Sequence, residues 1–149
     1  MSALLAAALL AVSPCHASQL HASVLQANGA AGTIVVSITL RNTGSACTLS
    51  GYPGLQLRSR ARALPTRVQH GGLSVLNRRP RLVRLARGGR ATLLVAYNDV
   101  PVGNETRCPT SVSLEILLPG AVRVAFQADA CNHGLLRESP FLAGVVHAG

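Results

Sequence analysis

Residues 33–41, Thr-Ile-Val-Val-Ser-Ile-Thr-Leu-Arg, carry Ile34, Val36, Ile38 and Leu40 on alternate positions, with Val35, Ser37, Thr39 and Arg41 between them. Successive side chains of an extended chain point to opposite faces, so this period of two predicts a half-buried strand. Residues 111–118 repeat it, with Val112, Leu114, Ile116 and Leu118 on the inner face and Ser113 and Glu115 outward. After the turn pair Pro119-Gly120, residues 121–127 resume with Val122, Val124 and Phe126 inward and Arg123 and Gln127 outward. These two runs predict a hairpin.

Shorter strand candidates lie at Gln19–Leu25, Leu55–Arg58, Leu82–Leu85 and Ala91–Tyr97, and helical periodicity is weak throughout. The punctuation is rich in Gly and Pro: Gly29-Ala-Ala-Gly32, Asn42-Thr-Gly44, Gly51-Tyr-Pro-Gly54, Gly71-Gly72, Gly88-Gly89 and Pro101 to Gly103. Many short strands with regular turn signals predict an all-β fold, an immunoglobulin-like antiparallel β-sandwich. No linker, repeat or low-complexity segment divides the 149 residues, so a single sandwich is expected over residues 15–149. Its core must come from Val, Leu, Ile and Ala, because Tyr52, Tyr97, Phe126 and Phe141 are the only aromatics.

Ala3 to Val12 is an unbroken apolar run. As a helix it would reach about 15 Å, half of what a bilayer core requires, so no transmembrane span is expected. The run fits the apolar part of a secretory signal over residues 1–14, although no Lys or Arg precedes it. A buried first strand or helix is the competing reading. Cys15 does not read as a lipidation cysteine, since Pro14 stands where that motif wants a small residue.

Export implies an oxidising compartment, in which Cys15, Cys47, Cys108 and Cys131 read as a disulfide framework. Four cysteines allow three pairings; the sequence-local one, Cys15 with Cys47 and Cys108 with Cys131, closes two loops of moderate length. A zinc site would want close Cys-x-x-Cys pairs, and there are none.

Charge is unevenly distributed. All 14 basic residues are Arg, and the first carboxylate along the chain is Asp99. Ten arginines fall between residues 58 and 90: Arg58, Arg60, Arg62, Arg67, Arg78, Arg79, Arg81, Arg84, Arg87 and Arg90. A GC-rich genome also produces Arg without Lys, so composition alone is one explanation. The functional one is a basic face made by this loop region that meets an envelope polyanion such as teichoic acid, anionic polysaccharide or lipid headgroups. Nucleic acid is not the expected partner, since neither a groove-entering helix nor stacking aromatics accompany the arginines.

The turn and cysteine segments also carry a family resemblance. Gly29-Ala-Ala-Gly32, then Arg41-Asn-Thr-Gly-Ser45, then Cys47-Thr-Leu-Ser-Gly-Tyr-Pro-Gly54 resemble the secreted bacterial family known as domain of unknown function 4232. The similarity runs on through Leu85-Ala-Arg-Gly-Gly89, Cys108-Pro109, Leu118-Pro-Gly120 and Cys131, covering about residues 15–144. The resemblance implies an exported or lipoprotein-linked β-sandwich of no established activity, and it favours the local disulfide pairing. This chain lacks the Thr/Pro/Gly-rich spacer common in that family, and its last strand, near Ser139-Pro-Phe141, is less distinct.

Within the most specific segment, Gly51, Tyr52, Pro53 and Gly54 read as a structural turn. Pro53 favours extended backbone before it, and the glycines supply angles closed to other residues. Tyr52 is expected as a packed ring closing the sandwich corner rather than as a ligand contact.

No catalytic or metal-binding pattern is legible, and no cofactor is expected. The closest carboxylate pairs, Asp99 with Glu105 and Asp129 with Glu138, lie in loop-like stretches and read as solvated surface groups. His16 and His21 follow Cys15 near the N-terminus of the domain but make a poor site by themselves, and His70, His133 and His147 read as surface or structural residues. The expectation is a non-enzymatic, extracytoplasmic binding or interaction module at the cell envelope. A structural accessory protein without a discrete ligand, or an unrecognised hydrolase or redox protein, are the alternatives, and another envelope protein is an alternative partner.

Overall fold

The computed structural model describes residues 12–149, so the apolar run Ala3–Val12 lies outside it except for Val12. After one 3-10 turn at Ala17–Gln19, the chain is built of strands: β1 (Leu20–Ala30), β2 (Thr33–Asn42), β3 (Cys47–Leu49), β4 (Gly54–Arg58), β5 (Arg67–His70), β6 (Val83–Leu85), β7 (Arg90–Asn98), β8 (Thr110–Leu118), β9 (Gly120–Asp129), β10 (Leu135–Glu138) and β11 (Leu142–Ala143). The long sheet runs β1-β2-β7-β10-β5, with β11 also on β7; the second sheet is β4-β8-β9, and β3-β6 form a small ribbon. Every pairing between strands is antiparallel except β5 with β10. The result is the expected β-sandwich, stapled by Cys15–Cys47 and Cys108–Cys131.

The predicted β8–β9 hairpin forms for local reasons, as does a second one, β1–β2, that was not predicted. β1 and β2 are joined by Ala31 and Gly32, both at positive φ (51° and 79°), the turn that matches strand twist and that Gly accepts without strain. β8 and β9 meet across Pro119, with Leu118 opposite Gly120. Between the sheets lies the main core, where Ile38, Leu40 and Leu93 from the long sheet face Leu57, Leu114, Ile116 and Phe126 from the other.

Three expectations need correction. β2 is not half-buried: Ser37 has no exposure, and the outer side of β2 and β7 is covered by a second cluster of Leu73, Val75, Leu76, Val146 and Ala148. That cover explains why Ala91 to Tyr97 of β7 are all buried, as in a strand enclosed on both faces. In β8 the predicted inner face is reversed at its start. A register shift between Ser111 and Ser113 turns Val112 out, and Ser111 points in, its hydroxyl donating to the Phe126 carbonyl (2.8 Å). The arginine segment is not one loop, since it contains β5, β6 and the buried Leu76.

The indistinct last strand is one run interrupted by a proline. β10 follows β7 at Tyr97 to Val95, Ser139 continues through its N–H to the Leu94 carbonyl (2.9 Å), and β11 resumes at Thr92. Pro140 has no N–H to give, and the next donor, Phe141 N–H, turns to the Gly51 carbonyl (3.0 Å). This ties the Gly51–Gly54 turn to the C-terminal strand.

Candidate functional site

The ladder between β2 and β7 runs from Thr33 opposite Asn98 to Arg41 opposite Arg90, and these pairs mark the two ends of the long sheet. At the Arg41–Arg90 end, β11 lies beside Ala91 and Thr92, and the Gly144 N–H donates to the Arg90 carbonyl (3.0 Å). Arg78, Arg79 and Arg81 share an open depression there with Leu142, Ala143 and Val146. Arg84 projects outward from β6, between buried Val83 and Leu85, and Arg87 of the following turn donates to the Thr43 carbonyl (3.3 Å). Seven arginines are thus gathered at one end: Arg41, Arg78, Arg79, Arg81, Arg84, Arg87 and Arg90. All are exposed, and among the described residues none has a carboxylate within ion-pair distance.

The other four of the ten go elsewhere. Arg58 pairs with Glu115 (3.0 Å), an acid that Arg123 also reaches (3.7 Å). Arg60 and Arg62 sit in the exposed loop after β4, where the Ser59 N–H donates to the Arg62 carbonyl (3.0 Å). Arg67 donates to the Asn132 carbonyl (2.6 Å). The ten arginines therefore do not make one face. Arg78 to Arg90 do, joined by Arg41, which sequence distance had hidden and cross-strand register brings in.

Three of the five acids, Asp99, Glu105 and Asp129, lie at the opposite end, whereas Glu115 sits mid-strand on β8 and Glu138 pairs beside Val95 of β7. Asp99 and Asp129 line an open depression of about 450 Å³ with Thr106, Arg107 and Thr110. The Tyr97 hydroxyl beside them is held above its ordinary pKa, by burial first and then by the two aspartates. Glu105 accepts from the backbone N–H groups of Asn132 (2.8 Å) and His133 (3.0 Å), which lower its pKa. Asn132, His133 and Gly134 are all in the left-handed region, so this carboxylate braces a turn that few residues adopt. Gly134 is obligatory there, because a Cβ would meet the Pro65 carbonyl oxygen at 2.0 Å. Glu105 also comes within 4.8 Å of the Cys108 and Cys131 sulfurs, but both are committed to their disulfide and offer no thiolate.

Glu138 departs from the expected surface role. Its side chain has no exposure, neither oxygen has a hydrogen-bond partner, and burial raises its pKa to about 8. His70 Nε2 lies 3.4 Å away, and the His70 ring stacks on Tyr52 with centroids 3.8 Å apart. Tyr52 is thus a partly exposed ring stacked on His70, outside the main core cluster. No sequence signal marks Glu138, because β10 has four residues, too few to establish a period, and its burial comes from lying between β5 and β7.

The remaining histidines hold peripheral positions. The His16 N–H donates to Gln19 Oε1 (3.1 Å), His147 Nδ1 is 3.1 Å from Gln26 Oε1, and His21 and His133 are exposed. Among the described residues, no helix is long and apolar enough to cross a membrane.

Comparison with known families places the chain. The model of the family described as domain of unknown function (DUF4232) matches residues 15–141, and the chain belongs to that family. Searches of curated proteins and of solved structures each found no match.

Proposed function

We propose that this DUF4232 domain is an extracytoplasmic, non-enzymatic binding module whose arginine end holds it against anionic components of the cell envelope. One observation carries the reading: seven exposed arginines converge from β2, β6, β7 and the segments beside them, with no carboxylate among them. Arg78 and Arg87 each donate one hydrogen bond within the fold, to the carbonyls of Val75 and Thr43 (both 3.3 Å), but without a carboxylate partner the seven guanidinium groups keep donors for external phosphate or carboxylate groups. The asymmetry matters as much as the net charge of +9, because the acids at the opposite end orient the molecule in the field of a polyanion. Two disulfides in so short a chain support a location outside the reducing cytoplasm.

The test is retention on polyphosphate-coated resin and on isolated cell wall, at low and at high salt. The parent protein is expected to bind at low salt and elute as salt screens the charges. The triple variant Arg84→Gln, Arg87→Gln, Arg90→Gln should lose retention, and Arg58→Gln, Arg60→Gln, Arg62→Gln should keep most of it. Equal retention of the two triples, salt-insensitive binding, or no binding would overturn the reading.

A further inference from the structure

Resting on that reading, we infer that the arginine end docks on an anionic lipid bilayer, with Leu82 entering the interface as an apolar foot. Leu82 is 59% exposed, the highest value for any large hydrophobic side chain among the described residues. It directly follows Arg81. It also projects on the same outward side as Arg84, since Val83 and Leu85 between and beyond them are buried.

Leu82 is not alone. Val145, 44% exposed, follows Gly144, whose N–H bonds to the Arg90 carbonyl, so it stands at the same end. Leu142 and Val146 line the depression between Arg78, Arg79 and Arg81. The end therefore combines guanidinium groups that have no carboxylate partner with outward aliphatic side chains. A soluble polyanion engages only the first of these. A bilayer interface engages both, with lipid phosphates on the arginines and the acyl boundary around Leu82 and Val145.

Exposed aliphatics elsewhere lack this company. Val100 (55%) and Val102 (41%) stand beside Asp99 and Glu105, whose charge an anionic surface repels. Val24 and Leu25 lie on β1, which has no Arg, Asp or Glu. Val68 (38%) follows Arg67, but that guanidinium already donates to the Asn132 carbonyl (2.6 Å), so among the described residues several exposed aliphatics accompany an arginine cluster only at the Arg78–Arg90 end.

The experiment uses the full chain and vesicles of phosphatidylglycerol mixed with phosphatidylcholine, against pure phosphatidylcholine. Leu82→Ser is expected to weaken binding to the anionic vesicles by about tenfold, the order of one aliphatic side chain returned to water, and to leave polyphosphate binding unchanged. The chain has no Trp, so Leu82→Trp supplies a sole reporter. Its emission should shift to the blue on anionic vesicles, and that of Val100→Trp should not. Leu82→Ser binding as tightly as the parent, or no blue shift at position 82, would overturn the inference and leave soluble polymer as the partner of the arginine end. Undiminished vesicle binding by the Arg84/Arg87/Arg90 triple variant would instead sink the charge-based reading beneath it.

Discussion

His70 Nε2 stands 3.4 Å from a carboxylate oxygen of Glu138, joining a half-exposed ring to an acid with no solvent contact. The strand pair that brings them together, β5 with β10, is the parallel one, and Tyr52 of the turn motif stacks over the histidine. A buried carboxylate with no hydrogen-bond partner favours its neutral form, and its pKa of about 8 expresses that preference.

Stability should therefore fall as pH rises. Unfolded, Glu138 loses its proton near its ordinary pKa of 4.5; folded, it keeps the proton to about 8. The folded state binds the extra proton between those values, so its stabilising effect is complete below 4.5 and is lost as pH rises to 8. Glu138→Gln removes the titration. Relative to the parent, it should gain about 2–4 kcal/mol between pH 5 and pH 8, since one pH unit of proton affinity is worth about 1.4 kcal/mol. Urea unfolding across that range checks this, and parallel pH profiles for the two proteins would refute it.

Asn42 is the polar joint of the Arg41-Asn-Thr-Gly-Ser45 segment. It has no exposure; its amide donates to the carbonyls of Ser45 (2.9 Å) and Leu85 (3.2 Å), and its oxygen accepts from the Gly44 N–H (2.9 Å) and Gln19 Nε2 (3.1 Å). Asn42→Ala strands several of these groups at once and should cost about 2–4 kcal/mol. Asn42→Asp should also destabilise, because the buried donors are lost and a charge is introduced. A denaturation midpoint within experimental error of the parent would contradict the assignment.

The two disulfides close comparable stretches, with sequence separations of 32 and 23, and the chain-entropy estimate for either is about 3–4 kcal/mol. Their surroundings differ. Cys15 and Cys47 are both in the main core, and their bond holds Cys15 beside Thr48 (N–H to carbonyl, 2.9 Å). The turn after Cys131 keeps the Glu105 brace without its disulfide. Cys15→Ala with Cys47→Ala should therefore lower the melting temperature more than Cys108→Ala with Cys131→Ala. In the latter variant, acid should open the turn. The lowered pKa of Glu105 means that its contribution is present above the unfolded pKa and is lost as pH falls through the folded one. Amide exchange at Asn132 and His133 reports this directly, and exchange that stays slow in acid would exclude the brace.

What was legible in the sequence is what local rules govern. Alternation at residues 33–41 and 121–127 marks strands because a pleated chain shows each face every second residue. Pro119-Gly120 and Ala31-Gly32 mark turns because few residues take those backbone angles. The family resemblance singled out the cysteine pairing that the fold adopts. The shorter strands were less visible: β3, β10 and β11 have two to four residues each, too few to establish a period. The bulge in β8 is likewise silent, because one extra residue reverses faces without changing composition.

The arginine end shows where sequence stops and tertiary structure decides. The sequence by itself determined that the first 98 residues carry no carboxylate and that the domain is basic. Charge density along a chain is not charge density in space, however. Pairing of β4 with β8 sends Arg58 to Glu115, and pairing of β2 with β7 brings Arg41 to Arg90, across 49 positions of sequence. Burial followed the same logic. Glu138 and Ser37 are polar by chemistry, and they are enclosed because of what packs over their strands.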